Sequence, residues 1–200
     1  MLTSLSIVSI LNVFYCVRSG IADANTLSLR SELEEYERIG KRIDPLAWSQ
    51  LMTGIDKASI LAADVPQYYE EKAYLYAVRG VQALKFPDVA APVLLKAKAN
   101  YIAALSARPM SSAIWANLAL IKYYLANPDD EIERLVDIAL LYGLNDPKTL
   151  APVIFLEVSR WDRLTKIRKF QIYKAFQNTQ GPFKTQLNGI YRDFPQEGLM

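Results

Sequence analysis

Glu70 and Glu71 are adjacent acids in this 200-residue chain, and they make a poor catalytic pair. Adjacent helical residues diverge by about 100°, which ill suits two carboxylates to flank one substrate bond as acid and base. Histidine is absent, which removes Ser–His and Cys–His nucleophiles, histidine metal sites and imidazole proton transfer. The single cysteine, Cys16, sits in an apolar run, so one chain offers neither a disulfide nor a thiolate zinc site. Carboxylates, Lys, Tyr and Ser remain, without a spacing that assembles a reaction centre. The residues predict a protein with no catalytic residues, no metal and no cofactor. A net charge of +2 predicts no nucleic-acid partner through bulk electrostatics.

Side chains suited to binding are more frequent. Tyrosine occurs 12 times, with Tyr68, Tyr69, Tyr74 and Tyr76 in nine residues. Such rings stack on sugar faces or extended peptides through their apolar body and polar tip, or they fill a core. Near the C-terminus, Arg160, Arg163, Lys166, Arg168, Lys169 and Lys174 stand against one acid, Asp162. Trp161, Leu164, Ile167 and Phe170 or Tyr173 would form the apolar stripe of that segment. It reads as a basic amphipathic helix for anionic lipid or an acidic polymer, or as the last helix of a stack with its lysines in water.

These residues must be positioned by helices. The chain is 52% hydrophobic with only 8 Gly and 10 Pro, which argues for long ordered helices rather than many turns. Residues 2–17 carry no charge, and Arg18 ends the run before Ala22-Asp23-Ala24. The run reads as a membrane anchor, as a cleaved signal ending at Ala24/Asn25, or as a buried first helix. Residues 1–22 are taken as the anchor or signal segment, 23–178 as the helical domain, and 179–200 as a short helix or loose tail.

After Asp23, Leu29, Leu33 and Tyr36 recur at i, i+4, i+7, with Glu34/Arg38 and Glu37/Lys41 as pairs on the wet side and Gly40 at the end. Asp44-Pro45 opens a helix to about Ala63, and Asp64-Val65-Pro66 opens another to about Phe86. FPDVAAP reads as a loop whose Pro92 starts a helix to Arg108. Ser111 or Ser112 caps a helix to about Ala126, Asn127-Pro128-Asp129 opens one to Gly143, and Asn145-Asp146-Pro147 opens one to Arg160. The eighth covers about 161–177. No period-2 alternation between hairpin turns is present, so strands are not expected.

Ala97, Tyr101, Ala104 and Pro109, followed by Trp115, Leu118 and Ala119, resemble the junction of two tetratricopeptide repeats. Small residues let antiparallel helices approach, aromatics fill the hollow, and the proline breaks the chain before the next helix. Ala58 takes a late small position of an earlier hairpin, and Tyr69, Ala73 and Tyr76 the aromatic, small and aromatic positions of the next. FPDVAAP would interrupt the 34-residue period. Ile138 and Ala139 continue the pattern without its closing proline. The expected fold is an all-α, tetratricopeptide-like solenoid of antiparallel hairpins with about eight helices.

The first helix of each such hairpin lines the concave face. That face maps to Gln67, Glu70, Glu71 and Tyr74, then to Ala113, Ala116, Asn117, Leu120, Tyr123 and Tyr124. Asn117 could hold a peptide backbone by donating and accepting together, or could simply be solvated. Glu70 and Glu71 would repel a C-terminal carboxylate.

The order of segments is also similar to small VpsP-type proteins of bacterial exopolysaccharide loci. It runs from an apolar N-terminal segment to Asp44-Pro45…Trp48, an aromatic-rich third helix, and Arg108-Pro109 with Trp115-Ala116-Asn117-Leu118-Ala119-Leu120, over about residues 13–165. The resemblance implies a non-catalytic accessory of polysaccharide synthesis or export. It would sit at the inner membrane with its helical domain in the periplasm, or be released there by signal cleavage, and would dock another protein of the assembly. Alternatives are a module binding a glycan or lipid-linked saccharide, and a generic tetratricopeptide-like interaction module unrelated to polysaccharide.

Overall fold

The computed structural model describes residues 16–18, 20–22, 24, 26–27, 29–35 and 43–178, and these are helical or in short connections, with no strand among them. The fold is all-α. Described helical residues within 16–35 form α1. They are followed by α2 (Pro45–Leu61), α3 (Pro66–Gln82), α4 (Pro87–Ala107), α5 (Ser112–Tyr124), α6 (Asp129–Gly143), α7 (Pro147–Ser159), a 3-10 turn (Trp161–Arg163) and α8 (Lys166–Asn178). The expected Tyr36 stripe position, the Glu34/Arg38 and Glu37/Lys41 pairs, Gly40, most of the apolar run and the 179–200 tail lie outside the described residues.

Proline and aspartate start several of these helices. The Asp44 carboxylate accepts from the Leu46 and Ala47 amides at 2.9 and 3.0 Å, and Pro45 occupies the first turn, where a missing amide costs no hydrogen bond. Asp146 caps α7 in the same way, accepting from Lys148 N at 3.2 Å.

Two expected boundaries are corrected. FPDVAAP is not a loop: α4 begins at Pro87, and the Phe86 carbonyl accepts from Val89 and Ala90 at 2.9 Å each. Pro92 lies inside the helix and forfeits its bond to the Asp88 carbonyl, but both residues are on the wet side, while Ala90, Leu94 and Ala97 are buried opposite. Packing of that buried face outweighs the local penalty. The second correction concerns 161–177, which is not one helix. The Thr165 hydroxyl accepts from Arg168 N at 3.2 Å and starts a new helix after the 3-10 turn. Ile172 and Phe176 are buried, whereas the expected stripe residues Ile167 and Phe170 are 73% and 58% exposed.

Consecutive helices pack as hairpins: α3 against α4, α5 against α6, and α7 against α8. Further contacts join α2 to α3, α4 to α5, α3 to α5, α5 to α7 and α6 to α7. Two buried clusters result. Ala22, Leu33, Leu51, Ile55, Tyr68 and Leu75 form one around α2, and Leu94, Tyr101, Ile114, Ile121, Val136 and Ile154 belong to the other. Ala97, Tyr101, Ala104, Leu118 and Ala119 are all in the second cluster. Trp115 donates its indole N–H to the Pro109 carbonyl at 2.7 Å, pinning the turn between α4 and α5. Ala58 and Ala73 are buried, but Tyr69 is exposed and Tyr68 takes the interior place, one residue earlier than expected. Gly80 permits the α3–α4 approach, since a Cβ there would lie 2.6 Å from Leu94 Cγ.

At the end of α5, Ala126 has φ of 54°, while Asn127 N bonds to the Lys122 carbonyl and Ala126 N to that of Tyr123, both at 3.0 Å. This is the left-handed helix ending in which glycine is favoured. Ala126→Gly is expected to raise the unfolding free energy by about 0.5–1 kcal/mol, the relief of left-handed strain less glycine's unfolded-state entropy. Urea titration of both proteins checks it.

Candidate functional site

The clearest polar concavity lies where α1, α3 and α5 meet the start of α7. Its volume is about 390 Å³, and α3 contributes Gln67, Glu70, Glu71 and Tyr74 on successive turns. Helical spacing explains why all four share one wall. Arg30 and Glu34 face them from α1, Arg108 and Ser112 from the α4–α5 turn, and Asp146 and Lys148 from the start of α7.

The two glutamates are not free anions. Arg30 Nε donates to Glu71 at 2.7 Å, and Arg108 Nη1 donates to Glu70 at 2.8 Å. The repulsion expected against an incoming carboxylate is therefore largely cancelled by two guanidinium groups. The Arg30 head also stands 5.5 Å from the centre of the Tyr68 ring. Sequence spacing could not reveal either pair, because the partners are 41 and 38 residues apart. At the far wall Thr149 donates to Asp146 at 2.6 Å, and the Thr149 and Ser112 hydroxyls are 2.9 Å apart. Gly143 makes that junction possible, since a Cβ there would meet Ser112 Oγ at 2.3 Å.

Burial pushes the Glu71 carboxyl above the ordinary carboxylate range, and Arg30 and Gln67 only partly pull it back. A carboxyl whose folded pKa exceeds its unfolded one binds its proton more tightly when folded. Its ionisation opposes folding above the folded pKa, and that opposition fades as pH falls toward the unfolded value. Glu71→Gln is thus expected to be more stable than wild type at neutral pH, with the two converging on acidification. Thermal melts across the acid range check the sign.

The remaining concave-face residues sit elsewhere. Ala113 lines the cavity, but Asn117, Tyr123 and Tyr124 do not. Asn117 is half-buried on α5. Tyr123 and Tyr124 pack edge-on at 5.5 Å, and each ring lies 6.2 Å from Phe155 of α7. Burial first, and then Tyr123, raises the Tyr124 phenol above its usual pKa.

Comparison with protein-family models, curated proteins and solved structures yields no match. The reading of the site therefore rests on its own chemistry.

Most cations of the basic C-terminal segment are engaged within the fold. Arg160 donates to Glu157 at 2.9 Å, Arg168 to Glu157 and Asp137 at 2.9 and 2.8 Å, and Arg163 pairs with Asp129. Lys169 lies over the Trp161 ring at 5.2 Å. No cluster of metal-ligating side chains occurs among the described residues. Nor is any described helix long and apolar enough to cross a membrane.

Proposed function

We propose that α3–α8 build a tetratricopeptide-like array in which α3, α5 and α7 are the first helices of three hairpins and α4, α6 and α8 the second. The contacts support this: each first helix meets its own partner and the next first helix, as in a solenoid. The array is a non-catalytic adaptor that docks another protein, and its VpsP-like order of segments assigns it to exopolysaccharide synthesis or export. In that setting the N-terminal apolar segment anchors the chain in the inner membrane, or is cleaved, and the helical domain works in the periplasm.

The observation that carries the docking site is the convergence of Gln67, Glu70, Glu71 and Tyr74 with the start of α5 in one polar cavity. The more accessible pair, Glu70 with Arg108, beside Tyr74 suits a partner's polar chain, because it can exchange its present bond for one to the partner. A second reading draws on the cavity's size, which is within the range of small-ligand pockets and suits a short glycan.

A photo-cross-linking residue at Gln67 in the native host tests the proposal. One protein should be captured there and lost with Tyr74→Ala, while a cross-linker at exposed Ser106 captures none. Equal capture at both sites overturns the assignment. Retention on immobilised exopolysaccharide that disappears with Tyr74→Ala selects the glycan reading. Protease accessibility in spheroplasts tests the side of the membrane, and full protection refutes a periplasmic domain.

A further inference from the structure

A second concavity, sharing no residue with the polar one, opens between α6, the start of α7 and α8 with a volume of about 560 Å³. Its lining is aliphatic: Leu140, Leu150 and Ile172, then Leu141, Leu144 and Pro147. Leu141 and Leu144 are 75% and 54% exposed. Large exposed aliphatic side chains around a hollow mark a binding surface more often than scattered surface residues do.

The polar groups at this hollow are few and unequal. Asp137 and Arg168 hold each other at 2.8 Å, and Arg168 is also held by Glu157, so that charge is spent. Lys174 also lines the hollow, is exposed, and has no carboxylate partner among the described residues. Asn145 and Gln171 add amides. Among the described residues no aromatic ring lines the hollow, so these walls offer a sugar or flat ring nothing to stack on. Along α6 the lining runs from Asp137 to Leu144, about 10 Å of helix. An aliphatic trough of that length beside one unspent ammonium complements an anionic amphiphile.

We infer that the hollow between α6, α7 and α8 binds a single acyl chain carrying an anionic head, carboxylate or phosphate, with Lys174 meeting the head and Leu140, Leu144, Leu150 and Ile172 the chain. The inference is independent of the docking role of the polar cavity.

Calorimetric titration of the full chain below micellar concentrations tests it. Dodecanoate and dodecyl phosphate should both bind saturably, and inorganic phosphate alone should not. Shortening the chain by two methylenes should weaken binding about tenfold. Lys174→Glu should weaken both anions at least tenfold and leave dodecanol unchanged, and Leu144→Asp should weaken all three. Both positions are exposed, so both variants should keep the wild-type circular dichroism and melting temperature. Three results overturn the inference: no saturable binding, equal binding of dodecyltrimethylammonium, or dodecanoate affinity unmoved by either substitution. Binding of an acidic amphipathic helical peptide in place of dodecanoate overturns it too, and assigns the trough to a protein.

Discussion

Glu157→Ala is expected to lower the unfolding free energy by about 3–5 kcal/mol, the cost of removing one member of a buried ion cluster. Glu157 is fully buried, and its two oxygens accept from Arg160 Nη2 and Arg168 Nε at 2.9 Å each. The Arg160 side chain is only 4% exposed, and its other acid, Asp129, lies 3.8 Å away. Alanine would leave a buried guanidinium with little to replace the carboxylate. The cluster also joins three helices, because Arg168 of α8 reaches both Glu157 of α7 and Asp137 of α6. Burial alone would lower the Arg168 pKa, but the carboxylates of Glu157 and Asp137 more than reverse it and hold the guanidinium above its ordinary value.

Urea unfolding should show the loss as a lower midpoint. Trp161, buried beside this cluster, should respond at lower denaturant than the rest of the chain if α8 peels away first. Replacing Glu157, Arg160 and Arg168 together by Leu, Met and Met should restore most of the stability, since the penalty comes from leaving a charge unpaired. A triple variant no better than Glu157→Ala would show that the cluster supplies net stability itself.

Tyr101→Ala is expected to cost a comparable amount, about 3–5 kcal/mol, by a different mechanism. Tyr101 is 1% exposed and sits among Leu94, Ala97, Ala104 and Ile114, where α4 meets its neighbours. Removing the ring takes away its transfer free energy and leaves a cavity that rigid helices cannot collapse to fill. Tyr101→Phe keeps nearly all of that volume and should recover most of the loss. The two variants separate packing from the hydroxyl, and equal destabilisation by both would place the effect on the hydroxyl instead. Because Tyr101 and Glu157 belong to different hairpins, their effects should add in the double variant within about 0.5 kcal/mol.

Much of the architecture was legible in the chain. Alanines at three- and four-residue spacing, prolines after Asp44, Val65 and Asp146, and Trp115 near Pro109 announce helix starts and close hairpins. These are local effects of backbone geometry and small side chains. The α3 wall of the polar cavity was legible for the same reason, since Gln67, Glu70, Glu71 and Tyr74 need only helical spacing to share a face.

Other features depend on partners distant in sequence. Whether Pro92 sits inside a helix depends on the buried face opposite it, and the break at Thr165 depends on one hydroxyl accepting an amide proton. Ile167 and Phe170 face outward and Ile172 and Phe176 inward, because three-residue steps drift about 60° per step off one helical face whereas four-residue steps nearly hold it. Helical periodicity, capping and composition by themselves determined an all-α chain, and one that lacks histidine. Only the tertiary structure decided which charges are spent, since Arg30 meets Glu71 and Arg168 meets Glu157 through packing of whole helices, and Coulomb energy depends on distance in space rather than along the chain.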